Sequence, residues 1–582
     1  MKKQGFIIAI MLFFLLYSFS FVPVAKAQIP TGQDMGSAGR TAEDEQKASK
    51  MREKLTKKKE EPIIKEDGIQ PEVPEEKAYT GPKVLIEKIE VQGSTILSPA
   101  ELASITYPYE GKELSLDDFR QVADEISDAY RQKGYVTTIA YLAPQRIENK
   151  TLVITVAEGR VGDIKVSGNK WFDSNLLLGY IDMKKGELFN YDDLREGLNY
   201  INESQDRNAS VVLERGVDPG QTDVNINVED KLPLHVTLGY NNHLSRYLER
   251  NKGIVEFKCN NFMGLDHIIA GEIQFGEDGR FQLYTGRYLM PIFTPRNKLG
   301  IRYIHLDQEL GGTVGPLLIK GKGDIISVFW NWRFFQSENL TMTFSPGFEY
   351  KDIENESLGT LLSQDRIRIA RLGFDLDWTD PWNGRTIITN ELDFGIPNLF
   401  NGLDYDDPKG SRAGTDAGGQ FVKNVTNAAR IQALPYDLSF MFRGAMQVSA
   451  NDLTSTEQFN IGGPTTVRGY PIAEYAGDNG YTIATELYVP PYFLPKEWKV
   501  PFTDTSLYDA LRLVGFWDWG LVTVRTPLVG ETERQLLHSI GPAVRFNIPG
   551  RMAITFDYGF ALGQKGSDGS RSRGYVEVKV FI

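Results

Sequence analysis

Apolar and polar positions follow two rhythms along this chain. Over 231–582 they alternate with period two. Leu234, Val236, Leu238 and Tyr240 alternate with His235, Thr237 and Gly239, and Leu340, Met342 and Phe344 with Thr341 and Thr343. Met552, Ile554, Phe556, Tyr558, Phe560 and Leu562 alternate with Ala553, Thr555, Asp557, Gly559 and Ala561. Successive side chains of a strand point to opposite faces, so this region reads as β-structure with one apolar face. Over 84–230 the spacing is helical in two places. Phe119, Val122, Ile126 and Tyr130 share one helix face, and Leu194, Leu198 and Ile201 another.

Those two helices belong to an internal repeat. Ile89-Glu90-Val91-Gln92-Gly93 returns as Ile164-Lys165-Val166-Ser167-Gly168, and Asp117-Asp118-Phe119-Arg120 as Asp192-Asp193-Leu194-Arg195. Both matches lie 75 residues apart, so one supersecondary unit is used twice. Each copy predicts β-α-α-β-β. In the first, a strand over 84–91 precedes a short helix opened by Ser98-Pro99. Ser115 caps the second helix, Gly134 ends it, and strands follow over 136–142 and 151–157. The second copy has Asn190 as cap and strands near 210–214 and 223–228. Both units resemble POTRA domains, the small periplasmic modules of outer-membrane translocators. The resemblance implies an open sheet edge beside a helix, which takes an extended chain by strand addition. The alternative is a pair of structural spacers.

Alternation over 231–582 suits a soluble sandwich or a membrane barrel. Apolar faces about ten residues long match tilted spanning strands. The pattern runs to the final residue, with Val576, Val578, Val580 and Ile582 opposite Tyr575, Glu577, Lys579 and Phe581. At roughly 20–22 residues per strand and turn, the region holds about 16 strands. The mean hydropathy of −0.30 agrees, because only alternate residues face lipid. The longest turn-rich gaps lie near 351–363, 401–420, 462–480 and 490–509. They are expected as extracellular loops or, for the third, as a loop folded inward.

The N-terminal stretch reads differently. Lys2 and Lys3, an apolar run over 6–21 and Ala25-Lys26-Ala27 predict a signal peptide over 1–27. Residues 28–82 have linker composition. Within them Thr41 is a helix N-cap, and Ala48, Met51 and Leu55 give only a thin apolar stripe. A helix this polar, over about 41–59, is either a solvated segment or lies in a wet cavity. No later run is apolar enough for a transmembrane helix.

Composition narrows the function. With 64 Lys+Arg against 77 Asp+Glu, the net charge of −13 argues against nucleic acid as a partner. Cys259 is the single cysteine, so no internal disulfide framework exists. His235, His243, His267, His305 and His538 show no metal-ligand spacing, and neither a phosphate-binding loop nor a nucleophile elbow occurs. No catalytic residue, metal or cofactor is expected.

One constellation remains. Arg468 sits in the Gly/Pro-rich run Ile461-Gly462-Gly463-Pro464-Thr465-Thr466-Val467-Arg468-Gly469-Tyr470. On the strand over 511–521, Phe516, Asp518 and Gly520 share the face opposite Leu511, Leu513, Trp517 and Trp519, so Asp518 points inward. Over 481–489 the inward face carries Glu486. An inward loop could bring the planar Arg468 guanidinium to Asp518 or to Glu486. The plain alternative is an ordinary extracellular-loop arginine.

Val467-Arg468-Gly469-Tyr470 and Phe516-x-Asp518-x-Gly520 closely resemble the two signature motifs of two-partner-secretion outer-membrane transporters, the exporters of haemolysins and filamentous haemagglutinins. The resemblance spans nearly the whole chain. It implies a tandem of α+β periplasmic POTRA domains (83–158 and 159–230), then an all-β transmembrane barrel of about 16 antiparallel strands (231–582). It also implies a loop at 461–480 folded inward, with Arg468 on Asp518, and a pore-plug helix over about 41–59. The implied partner is a secreted exoprotein with an N-terminal secretion domain, exported unfolded by a monomer lodged in outer-membrane lipid of a Gram-negative cell. Glu486 as an arginine partner comes from strand sorting alone. Rival readings are a barrel-assembly insertase, a passive porin or surface receptor and, last, an enzyme.

Overall fold

The computed structural model describes residues 43, 45, 47, 51, 52, 54, 55, 63–66 and 83–582 apart from 219, 249 and 338. The expected signal peptide and the expected cap Thr41 lie outside these residues. The chain divides into two compact units, one of 59–234 with 259–268 and the other holding the rest.

The first unit contains both copies of the repeat. In copy one, strand Lys88–Gln92 pairs parallel with Thr151–Ala157, which pairs antiparallel with Ile139–Tyr141. Helices Pro99–Thr106 and Leu116–Gln132 each open on a capping box, Ser98 with Glu101 and Ser115 with Asp118. The stripe Phe119, Val122, Ile126 and Tyr130 is buried on Ile89, Leu152, Ile154 and Val156. The expected strand over 84–91 breaks in two. Val84–Ile86 pairs with Lys112–Leu114, and the chain changes sheets where Glu87 and Lys88 both donate to the Lys150 carbonyl. The expected strand over 136–142 shrinks to Ile139–Tyr141, because a turn follows the helix end and Thr138 donates to the Tyr135 carbonyl.

Copy two is a four-stranded sheet in the order Ile64–Glu66, Arg207–Arg215, Gln221–Asp230, Arg160–Ser167. Its outer strand comes from the stretch expected to be linker. Ile64 lies opposite Val211 and pairs parallel with it. Gly93 and Gly168, equivalent in the repeat, have φ of 85° and 86°. A Cβ there would meet the carbonyl oxygens of Val156 at 2.5 Å and Val228 at 2.8 Å, so both copies need glycine at the same bend.

The second unit is a closed barrel of sixteen strands, sealed where Leu234–Asn241 pairs antiparallel with Ser572–Phe581. Its burial is inside out. Leu238, Tyr240, Phe556 and Phe560 stand exposed on the wall, while Lys252, Glu349, Asp393, Lys423 and Glu486 are buried in the interior. That inversion suits a wall in lipid around a polar lumen. Two expected loops are corrected. Residues 351–363 form no loop but the tip of a long hairpin, Leu340–Ser357 with Thr360–Thr379, turned at Leu358-Gly359. The polar residues there pair across strands, as Asn355 does to Ser363 at 2.8 Å. The gap at 490–509 opens on the end that carries the short turns 380–383 and 434–438, opposite the long connections 396–421 and 450–478. Antiparallel order dictates this, since ends alternate at each strand.

Ile126→Ala should cost copy one about 2–5 kcal/mol through the cavity it leaves. Amide exchange in the full chain should then rise over 84–157 and stay unchanged in the barrel strands.

Candidate functional site

Strand Ser439–Ser449 leads into a loop that turns back into the barrel. Glu457 bridges Lys351 at 2.7 Å and Lys423, and its carbonyl accepts from Gln447 at 2.9 Å. Asp478 closes the base, accepting from the Leu453 and Arg525 amides at 3.0 and 2.8 Å. Between them Phe459–Ile461 pairs with Tyr475–Gly477 as a small hairpin. Gly462 and Gly463, at φ 105° and 103°, start its tip, where a Cβ on Gly462 would sit 2.4 Å from the Pro471 carbonyl oxygen. Phe459, Ile461, Val467 and Tyr470 pack with Val522 and Leu537 of the wall. The loop therefore has a hydrophobic footing of its own.

At the tip, Arg468 is 1% exposed. Its Nε and Nη2 donate to the two oxygens of Asp518, each at 2.7 Å, and its own amide donates to Asp518 at 3.0 Å. Nη1 donates to Glu486 and to Asp557, both at 2.8 Å. The guanidinium carbon lies 3.5 Å from the centre of the Phe516 ring. Val467 covers Gly520, where a Cβ would approach the valine methyl to 2.7 Å. Gly469, at φ 90°, lies on Gly559, and a Cβ would meet that backbone carbonyl at 2.9 Å. Tyr470 donates to the His538 carbonyl at 3.2 Å and accepts on its own carbonyl from Tyr575 at 2.5 Å.

Sequence sorting offers Asp518 or Glu486 as the partner; the structure places both on the one guanidinium and adds Asp557. Asp557 was legible as the one carboxylate on the inward face of its strand, but nothing in the sequence tied it to Arg468. Further cations complete the cluster. Arg545 lies 2.8 Å from Asp557, while Arg443 and Arg52 lie 3.5 and 3.6 Å from Glu486. The cluster is closed to water although the lumen is polar, because Asp518 and Glu486 are as buried as Arg468. Their exchange with water is replaced by mutual pairing, so losing one member strands the others.

Arg52 belongs to a helix in the lumen, whose described residues are Glu43, Glu45, Lys47, Met51, Arg52, Lys54 and Leu55. Glu43 pairs with Arg302 at 3.2 Å, Glu45 with Lys252 at 2.7 Å and Lys47 with Glu391 at 3.0 Å. Arg385 donates to the Lys54 carbonyl at 2.5 Å. Among these described residues, Leu55 alone is deeply buried in apolar company, on Ile387, Ala429 and Met441. Partners on strands spread around the wall thus hold the helix mainly by charge.

Residues 84–159 match the POTRA domain of ShlB type, 160–231 the surface antigen variable number repeat, and 220–505 the haemolysin secretion/activation protein ShlB/FhaC/HecB. The chain is 24% identical over 464 residues to heme/hemopexin transporter protein HuxB of Haemophilus influenzae, covering 78% of this chain and 79% of that protein. It is 24% identical over 433 residues to outer membrane transporter CdiB of Escherichia coli, covering 71% and 70%. The solved structure of CdiB from Escherichia coli superposes with a TM-score of 0.75 at 19% identity, over 96% of this chain and all of that one.

Asp518→Ala, which leaves Arg468 short of three bonds, should destabilise the barrel by about 3–5 kcal/mol. Asp557→Ala should cost less. The thermal midpoint of heat-modified gel migration compares the two.

Proposed function

The chain belongs to the ShlB/FhaC/HecB family of haemolysin secretion/activation proteins, and we propose that it exports a partner exoprotein across the outer membrane by two-partner secretion. It is an outer-membrane protein, with its POTRA domains on the periplasmic side. The observation that carries the reading is the content of the lumen. The barrel encloses a polar helix and a folded loop whose seats differ in kind. The helix is held by single ion pairs on separate strands and by the Leu55 contact, attachments that can be released one at a time. The loop is held by a buried cluster and an apolar footing, so it stays while the helix leaves. Departure of the helix opens an aqueous path for an extended polypeptide.

The partner's N-terminal secretion domain arrives unfolded at the POTRA domains. Copy one offers a seat with a groove beside it. Among the described residues its strand Lys88–Gln92 pairs on one side only, beside a groove of about 270 Å³ lined by Ile89, Val91, Leu102, Thr106 and Tyr107. In copy two the equivalent strand Arg160–Ser167 is likewise paired on one side only, while Ile64–Glu66 covers the opposite edge. A client strand added to copy one places alternate side chains in the groove. The sequence carries no nucleotide-binding loop, so folding outside the cell draws the client forward. The transporter works as a monomer in outer-membrane lipid. Arg468, Asp518, Glu486, Gly520 and the Val467-to-Tyr470 run position the inward loop and do no chemistry.

Arg468→Ala should abolish appearance of the partner in the medium while the barrel still reaches the outer membrane in normal amount, as read by surface protease and cell fractionation. Continued secretion would refute the role of the loop. Leu102→Glu should weaken binding of the client's N-terminal domain about tenfold, equivalent to about 1.4 kcal/mol, in a titration calorimeter. An unchanged affinity would remove copy one as the seat.

A further inference from the structure

The connection 490–510 differs from the other turns on its end of the barrel. Those at 380–383, 434–438 and 549–551 hold three to five residues, and this one holds 21. Pro490, Pro491, Pro495 and Pro501 restrict its backbone. Tyr492, Phe493, Trp498, Phe502 and Tyr508 make five of its 21 residues aromatic, about twice the 11% of the whole chain.

The segment is pinned in place. Tyr492 donates to the Tyr436 carbonyl at 2.5 Å, Arg551 donates to the Phe502 carbonyl at 2.9 Å, and Leu507 donates to the Trp498 carbonyl at 2.7 Å. Lys496 lies 3.8 Å from Asp437. On its inner side Val500 and Leu507 pack with Ala510, Phe546 and Ile548. Tyr508 is buried, but the other four aromatic side chains stand clear of the protein. Phe502 is 97% exposed, and Tyr492, Phe493 and Trp498 are each more than half exposed. The neighbouring turns add Trp382 and Tyr436, the latter 83% exposed, and Gln432 donates to the Trp382 carbonyl at 2.6 Å. The result is a fixed arc of six aromatic rings along three successive hairpin ends.

A rigid exposed aromatic arc calls for an apolar or interfacial medium. The strands that enter and leave the segment carry exposed Leu487 and Leu513, so the arc continues the apolar band of the wall. Tyr and Trp favour the headgroup level of a bilayer, where one end of the ring is wet. Lys496 and Lys499 are exposed among the rings, with Glu497, Asp504 and Asp509 balancing them, which suits zwitterionic headgroups.

We propose that 490–510, together with Trp382 and Tyr436, is a foot that rests in the headgroup layer of the phospholipid leaflet at the short-turn end. It sets the height of the barrel on the side built by the strands of Glu486 and Asp518. The inference rests on the placement of the barrel in the outer membrane and not on what the barrel exports.

The test uses the full chain with Cys259→Ser, carrying Phe502→Cys or Trp498→Cys, labelled with bimane and held in phosphatidylethanolamine nanodiscs that expose both ends. Val529→Cys, on the opposite end, is the aqueous reference. At 502 and 498 the emission should shift to the blue and be lost to lipid brominated near the headgroup, with little loss to iodide. At 529 iodide should quench and bromolipid should not. Iodide quenching at 502 and 498 without bromolipid quenching overturns the foot and leaves the arc to a soluble partner. Quenching by neither also overturns it, since protein then covers the rings. Heat-modified migration verifies folding, and Tyr436→Cys replaces any variant that fails to fold. A failure of export leaves these readings intact.

Discussion

Arg468 carries a full charge into a site closed to water, and four hydrogen bonds from its guanidinium to three carboxylates keep it there. Those carboxylates come from the strands Asn479–Val489, Leu511–Thr523 and Met552–Ala561. In the wall Glu486 faces Phe516 and Ala484 faces Asp518, so the cluster exists only in this register. A slip of one residue would send a carboxylate to the lipid side. The cluster therefore forms only on a correctly registered wall. Glycines at 469, 520 and 559 let backbone and valine approach closely enough for the guanidinium to reach all three partners.

Loop and helix share the lumen and one residue, since Glu486 meets both Arg468 and Arg52. Their attachments follow different physics. A buried cluster holds together until it is dismantled as a whole. Ion pairs made singly to separate strands can be released one at a time. A pore that must open without losing its scaffold needs one attachment of each sort.

Much of this was legible in the chain. Period-two alternation fixes which face of each strand meets lipid, and that alone placed Asp518 and Glu486 inward. The 75-residue offset exposed the repeat. What escaped the sequence was pairing across long distances. No local pattern reveals that one arginine takes three carboxylates, or that the residues near 351–363 are strand and not loop. The side of the barrel reached by 490–509 depends on counting every strand before it. Ile64–Glu66 escaped because three residues among charged neighbours carry no periodicity.

That short strand has a mechanical consequence. Eight residues lie between Leu55, in the lumen, and Ile64, paired on Val211. Fully stretched, such a tether spans about 30 Å. Were the helix to leave the lumen with the strand still zipped, that length would bound its travel. A longer excursion must peel Ile64–Glu66 from its neighbour, exchanging three residues of ladder for slack. A sheet edge would thus limit how far such a helix could go, and a competing strand at that edge would lengthen its reach.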